Sequence, residues 1–108
     1  MRTLHKRLRI VDKQVLEEFR KGQCIICFSD AVDACHIKSK GSGGPDLQFN
    51  LISMCRKHHS EQHQVGWFKM IALHPILLLV LKAKGWSLTE ADGLKHPELN
   101  HKDTDANG

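Results

Sequence analysis

The stretch Cys55-Arg56-Lys57-His58-His59-Ser60-Glu61-Gln62-His63 decides how this chain is read. Upstream stands Cys24-Ile25-Ile26-Cys27. Cys24, Cys27, Cys55 and His58 form two x2-spaced pairs, the soft and borderline donors that zinc takes in a closed Cys3His site. The plain alternative is unrelated buried cysteines and a surface histidine, and the doubled spacing favours the metal. Such a knuckle supplies folding energy rather than chemistry. His59 and His63 remain, four apart, so on a helix both face one way and can hold a second divalent cation. By itself that pair is more simply a solvated one.

Composition sets the frame. With 108 residues the chain is one small domain, and 41% hydrophobic content permits a core that a metal staple would reinforce. The first residues, Met1 to Arg9, are basic and lack the apolar stretch of a signal peptide. The longest apolar run, Ile76 to Leu81, is far shorter than the roughly 20 residues a membrane helix needs. A soluble cytoplasmic protein with no membrane partner is expected, where C-x-x-C reads as metal-binding. Net charge is +4, unevenly spread: residues 1–86 carry fourteen Lys/Arg against seven Asp/Glu, and residues 87–108 two against five. A basic body suits a polyanion such as nucleic acid, although ordinary solubility explains it equally.

Local signals give the organisation. Asp12 caps a helix through Val15, Leu16 and Phe19 that Gly22 ends. Val32 to Ile37 and Leu51 to Met54 read as two short strands of a hairpin. Between them, Lys38 to Gln48 reads as a flexible basic loop with Gly41, Gly43, Gly44 and Pro45. A helix starts near Cys55 and carries the histidines, weakened at Gly66 and bounded by His74-Pro75. Another runs from Ile76 to Lys84, closed by Gly85. Trp67, Phe68, Ile71, Leu77, Leu78 and Leu81 are expected in the core. Residues 1–95 make a single domain with its central motif at 22–66, and 96–108 a polar tail.

His36 lies on the first strand, Asn50 opens the second 14 residues later, and His59 follows after nine more. In that order, framed by the knuckle pairs, they resemble the HNH endonucleases of the ββα-metal class. Ala34-Cys35-His36-Ile37-Lys38-Ser39-Lys40-Gly41, Asn50-Leu51 and the Cys55–His63 stretch are particularly similar to small phage and prophage HNH proteins. The resemblance covers residues 22–66. It implies a small α+β fold: a treble-clef-like ββα-metal motif with a Cys3His knuckle, flanked by an N-terminal helix and C-terminal helices. It also implies DNA phosphodiester hydrolysis. His36 would act as general base, an imidazole suiting that task near neutral pH. Asn50 would bond across the loop and fix the strand that carries His36. His59, with His63 as the further histidine some members use, would hold one catalytic cation: Mg2+, Mn2+, Zn2+ or Ni2+. The structural Zn2+ would sit separately in the knuckle.

One departure stands out. The family usually places Asp, Glu or His before the base, and here that residue is Cys35. Three outcomes are open: Cys35 reaches the cation as a soft ligand, leaves it to two histidines and water, or packs as a small buried residue. Asp33, two residues back, is a substitute if the strand twists.

Lys38, Lys40, Arg56 and Lys57 flank the expected site and can hold phosphates, contacts that carry no base information. Arg2, Lys6, Arg7 and Arg9 offer a second patch, more simply solvated. The main rival reading is a catalytically silent zinc module that binds nucleic acid or a protein. A zinc deaminase is excluded because the His-x-Glu and Pro-Cys-x-x-Cys arrangement is absent. A dimer is possible, since a domain this small often needs a second copy to cut both strands.

Overall fold

The computed structural model describes residues 9–89 and 93–99. Arg2, Lys6 and Arg7 and most of the expected tail, residues 100–108, lie outside them.

Helix α1 spans Lys13–Arg20, and the Asp12 side chain accepts from the backbone N–H of Gln14 and Val15 at its start. Two of the helix's unpaired amides are thereby satisfied. Strand β1, Val32–His36, pairs antiparallel with β2, Leu51–Cys55, in a register that sets His36 opposite Leu51 and Cys35 opposite Ile52. All five β2 residues are buried, so both faces of this small sheet are covered. On one face Ser53 Oγ donates to the Phe19 carbonyl of α1 at 2.6 Å. On the other, Cys35, Ile37, Ile52 and Met54 join Met70, Leu77, Leu81 and Trp86 in the core. Each large apolar side chain buried there contributes about 1.5–3 kcal/mol.

Helix α2, Arg56–Leu73, begins directly after β2 with Cys55 as its cap residue. It continues beyond Gly66, which adopts φ 84° and ψ 169° inside it, a conformation open to glycine. The resulting kink redirects the chain, and Trp67 Nε1 donates to the Ile37 carbonyl at 3.0 Å. Helix α3, Ile76–Ala83, follows His74-Pro75 at 100° to α2. Among the expected core residues, Leu77 and Leu81 are fully buried, whereas Phe68 is 50% exposed.

The connection between β1 and β2 departs from the expected loose loop. It holds two short 3-10 turns, Lys40–Ser42 and Gln48–Asn50, and buries Gly44, Pro45 and Asp46. Polar groups inside the loop tie it down: Asn50 and Asp46 each bond to several chain positions, which composition alone does not reveal. After α3 come β3, Ser87–Thr89, and β4, Gly93–Lys95, a second antiparallel pair absent from the expected elements. His96, where the tail was expected to begin, is buried and stacks on Phe49 with ring centroids 4.0 Å apart. The described residues form a small α+β structure with two two-stranded sheets. No single helix among the described residues is long and apolar enough to cross a membrane.

Candidate metal centre and histidine cleft

The turn Cys24–Cys27, the end of β2 and the first turn of α2 bring Cys24, Cys27, Cys55 and His58 together, their donor atoms all within 4.8 Å of one another. His58 Nδ1 lies 3.6 Å from Cys24 Sγ and 3.3 Å from Cys55 Sγ, and Cys27 Sγ lies 3.7 Å from Cys55 Sγ. With Zn–S near 2.3 Å and Zn–N near 2.0–2.1 Å, a tetrahedral ion requires S···N edges of about 3.6 Å and S···S edges of about 3.8 Å. The donor set therefore fits zinc in both chemistry and size. Burial raises the Cys24 thiol's pKa. Hydrogen bonds from the Cys55, Cys27 and Ile26 backbone and from the His58 ring outweigh that effect and bring it down to about 6. A thiolate, the form that binds metal, is thus favoured at Cys24. Cys27 is exposed and its pKa is raised: a backbone bond from Ser29 favours its thiolate, but burial and the neighbouring sulfurs of Cys24 and Cys55 prevail. One sulfur is primed, and bringing three thiolates together is work that a cation would do.

The chain then runs straight from the knuckle into a second constellation. His59 follows His58 on α2, and its Nδ1 donates to Asp33 Oδ2 on β1 at 2.9 Å. The carboxylate accepts, so His59 Nδ1 carries a proton and Nε2 is the ring atom left for other partners. That Nε2 lies 3.1 Å from Nε2 of His63. Two imidazole nitrogens so close require a shared proton or a shared cation. A carboxylate holding the far nitrogen is also the usual way a metal-binding histidine is oriented. Arg56 Nη2 is 3.3 Å from Asp33 Oδ1, on the exposed side of the pair.

His36 faces the same cleft, a cavity of about 420 Å³ lined also by His59, His63, Ala34, Arg20 and Lys40. Its Nε2 lies 2.7 Å from Oδ1 of Asp46, whose side chain is fully buried. Burial alone would raise the Asp46 pKa. The His36 ring, the Arg9 guanidinium at 2.7 Å and the Asp12 amide at 3.0 Å hold it down to about 2. The carboxylate is therefore ionised, His36 Nε2 carries the proton, and Nδ1 has no partner among the described residues.

Asn50 is wholly buried behind this edge. Its Oδ1 accepts from Lys38 N at 2.7 Å, and its Nδ2 donates to the carbonyls of Lys38 at 3.1 Å and Pro45 at 3.0 Å. Gly44 passes so close that a Cβ there would lie 1.8 Å from the Lys38 carbonyl oxygen. Cys35 lies elsewhere: it is fully buried in the core opposite Ile52, and burial with the nearby Asp33 charge pushes its thiol up to about 12. Such a thiol is a poor metal ligand.

Lys40 lines the cleft and Lys38 flanks it, while Arg56 and Lys57 are exposed at the start of α2. Arg9 is committed to Asp46 and to the Gly44 carbonyl, which takes it out of the expected surface patch. Asp46 was not singled out from the sequence, although it is the lone carboxylate between Asp33 and Glu61. Arg20 was also missed, because only folding carries α1 to the cleft. Compared with family models, with curated proteins and with solved structures, the chain matches none.

Proposed function

We propose that this protein is a metal-dependent HNH-type endonuclease that hydrolyses phosphodiester bonds in DNA with low sequence specificity. The observation that carries this reading is one cleft lined by His36, His59 and His63, with the backing of His36 built from Asp46 and Asn50. In this reading β1, β2 and the start of α2 form the ββα-metal motif, and a zinc ion in the Cys3His site fixes where α2 begins.

His36 is the general base. Its Nε2–H is held by Asp46, which aims Nδ1 at the cleft and stabilises the imidazolium formed when Nδ1 takes a proton from water. The water oxygen forms a bond to phosphorus as the P–O3′ bond breaks, and the leaving 3′ oxygen takes its electron pair and a proton from solvent, giving a 5′-phosphate and a 3′-hydroxyl. His59 and His63 would hold a divalent cation, Mg2+, Mn2+, Zn2+ or Ni2+, through their facing Nε2 atoms. Bound there, the cation would offset negative charge building on the phosphate and the leaving oxygen. Asp33 keeps the His59 lone pair pointed at that position. Asn50 holds the backbone of Ile37 and Lys38 against the loop, which fixes the strand end bearing His36. Lys38, Lys40, Arg56 and Lys57 would hold flanking phosphates, and Arg20 adds a cation inside the cleft.

A second reading, a silent zinc module that binds nucleic acid or a partner protein, draws on Cys35. With that thiol in the core, the described residues offer the second cation two histidine nitrogens and no third ligand. The experiment that separates the two is plasmid cleavage by the zinc-loaded protein with each of the four cations, comparing wild type with His59→Ala. Cation-dependent nicking that His59→Ala abolishes supports the endonuclease. Binding without cleavage under every cation favours the silent module.

A further inference from the structure

A second groove of about 710 Å³ lies beside the histidine cleft, and Ile37, Ser39 and Gln62 line both. Trp67, Phe68 and Trp86 contribute aromatic surface to its lining. Trp67 and Trp86 are fixed by their own Nε1–H groups, which donate to the carbonyls of Ile37 at 3.0 Å and Phe49 at 2.7 Å. Trp86 is buried and forms the floor beneath the groove, whereas Trp67 is half-buried on its wall, with the polar atom of each ring already used. Phe68, two residues past the kink at Gly66, is half exposed on the same wall. Lys38 and Lys95 supply positive charge to the lining.

Gln62 is the residue that asks for an explanation. It sits on α2 next to His63, is 9% exposed, and its carboxamide has no hydrogen-bond partner among the described residues. A buried amide with neither its donor nor its acceptor satisfied costs stability unless something else supplies the partner. An amide offers a donor and an acceptor side by side without net charge, the pattern that matches a nucleobase edge rather than a phosphate.

We propose that this groove takes an unpaired nucleobase of the DNA strand being cut, next to the scissile phosphate. Gln62 hydrogen-bonds the base edge, Phe68 and Trp67 pack on its faces, and Lys38 holds the adjoining backbone. The size suits a planar heterocycle with its sugar, and continuity with the histidine cleft sets the base one step from the reacting phosphorus. Bases in an intact duplex are stacked and paired, so the preferred substrate is single-stranded or carries a bulged or extruded nucleotide. This inference rests on the nuclease reading for its substrate strand.

The test uses the full-length, zinc-loaded His36→Ala protein and short single-stranded oligonucleotides carrying one 2-aminopurine at successive positions. One position should show a strong fluorescence change on binding, and a fully paired duplex should not. Phe68→Ala, which removes a half-exposed side chain and spares the core, should weaken single-strand binding roughly tenfold or more. Gln62→Leu, similar in volume, should do so about tenfold with little loss of stability. Absence of binding, or binding with no 2-aminopurine response at any position, overturns the proposal, as does full affinity in Phe68→Ala. Wild-type cleavage is scored in parallel. Cleavage without a 2-aminopurine response removes the base groove and leaves the endonuclease. A response without cleavage under any cation keeps the groove and removes the endonuclease.

Discussion

Asp46 Oδ1 stands 2.7 Å from His36 Nε2, and the carboxylate is completely buried. A carboxylate in that position fixes both the tautomer and the orientation of the ring, and it leaves Nδ1 without a partner among the described residues. The same carboxylate accepts from Arg9 and from the Asp12 amide, so it also ties the N-terminal segment to the loop.

Asp46→Asn should lower both stability and cleavage. Because the folded carboxyl is held near 2 against an ordinary 3.8, ionised Asp46 contributes roughly 2 kcal/mol at neutral pH. With a depressed folded pKa, that contribution is complete above about pH 5 and is lost as pH falls from about 4 toward 2. Denaturant unfolding of both proteins across pH checks this. The gap between them should be flat above pH 5 and shrink below pH 4, and the same gap at every pH would contradict it.

The knuckle should hold the fold together. Cys24→Ser and Cys55→Ser should each lose zinc and unfold, since metal binding energy is folding energy in a site of this kind. Zinc content and thermal unfolding, with and without a chelator, check the prediction. Either variant retaining full stability after chelation would remove the structural-zinc assignment.

Gly44→Ala should be among the most damaging substitutions outside the metal sites. Its Cβ would lie 1.8 Å from the backbone oxygen of Lys38 and 2.9 Å from Asn50 Nδ2, so the bonds that Asn50 makes across the loop must shift. A loss of about 2–4 kcal/mol is expected, read by denaturant unfolding. A loss below about 0.5 kcal/mol, the range of ordinary surface changes, would mean that the loop is not pinned there.

Phe28 is the reverse case. It adopts φ 63° and is 68% exposed, so the backbone bears a left-handed conformation with little burial in return. Phe28→Gly should keep zinc and gain up to about 1 kcal/mol in thermal or denaturant unfolding. A clear loss of stability would show that the side chain packs more than its exposure suggests.

The features legible in the sequence are those governed by local chemistry. Asp12 caps a helix because its side chain needs only the next three residues, and His74-Pro75 ends one by sterics at a single bond. The Cys3His set follows from x2 spacing for the same reason. What was hidden depends on partners distant in the chain. Asp46 meets Arg9 from 37 positions away, and Asp33 meets His59 from 26. Cys35 and Asp33 alternate onto the same side of β1. Only the covering of that side, dense over Cys35 and open at Asp33, sends one into the core and leaves the other near the histidines. Nothing in the sequence marks Gln62, whose burial between two cavities arises only on folding.

The central claim is that His36 takes the proton from the attacking water. The measurement that meets it most directly is nicking of a supercoiled plasmid by zinc-loaded wild type and His36→Ala under the same cation. His36→Ala should fold and bind zinc as wild type does and nick at least about a hundredfold more slowly. Nicking at the wild-type rate by His36→Ala would contradict it.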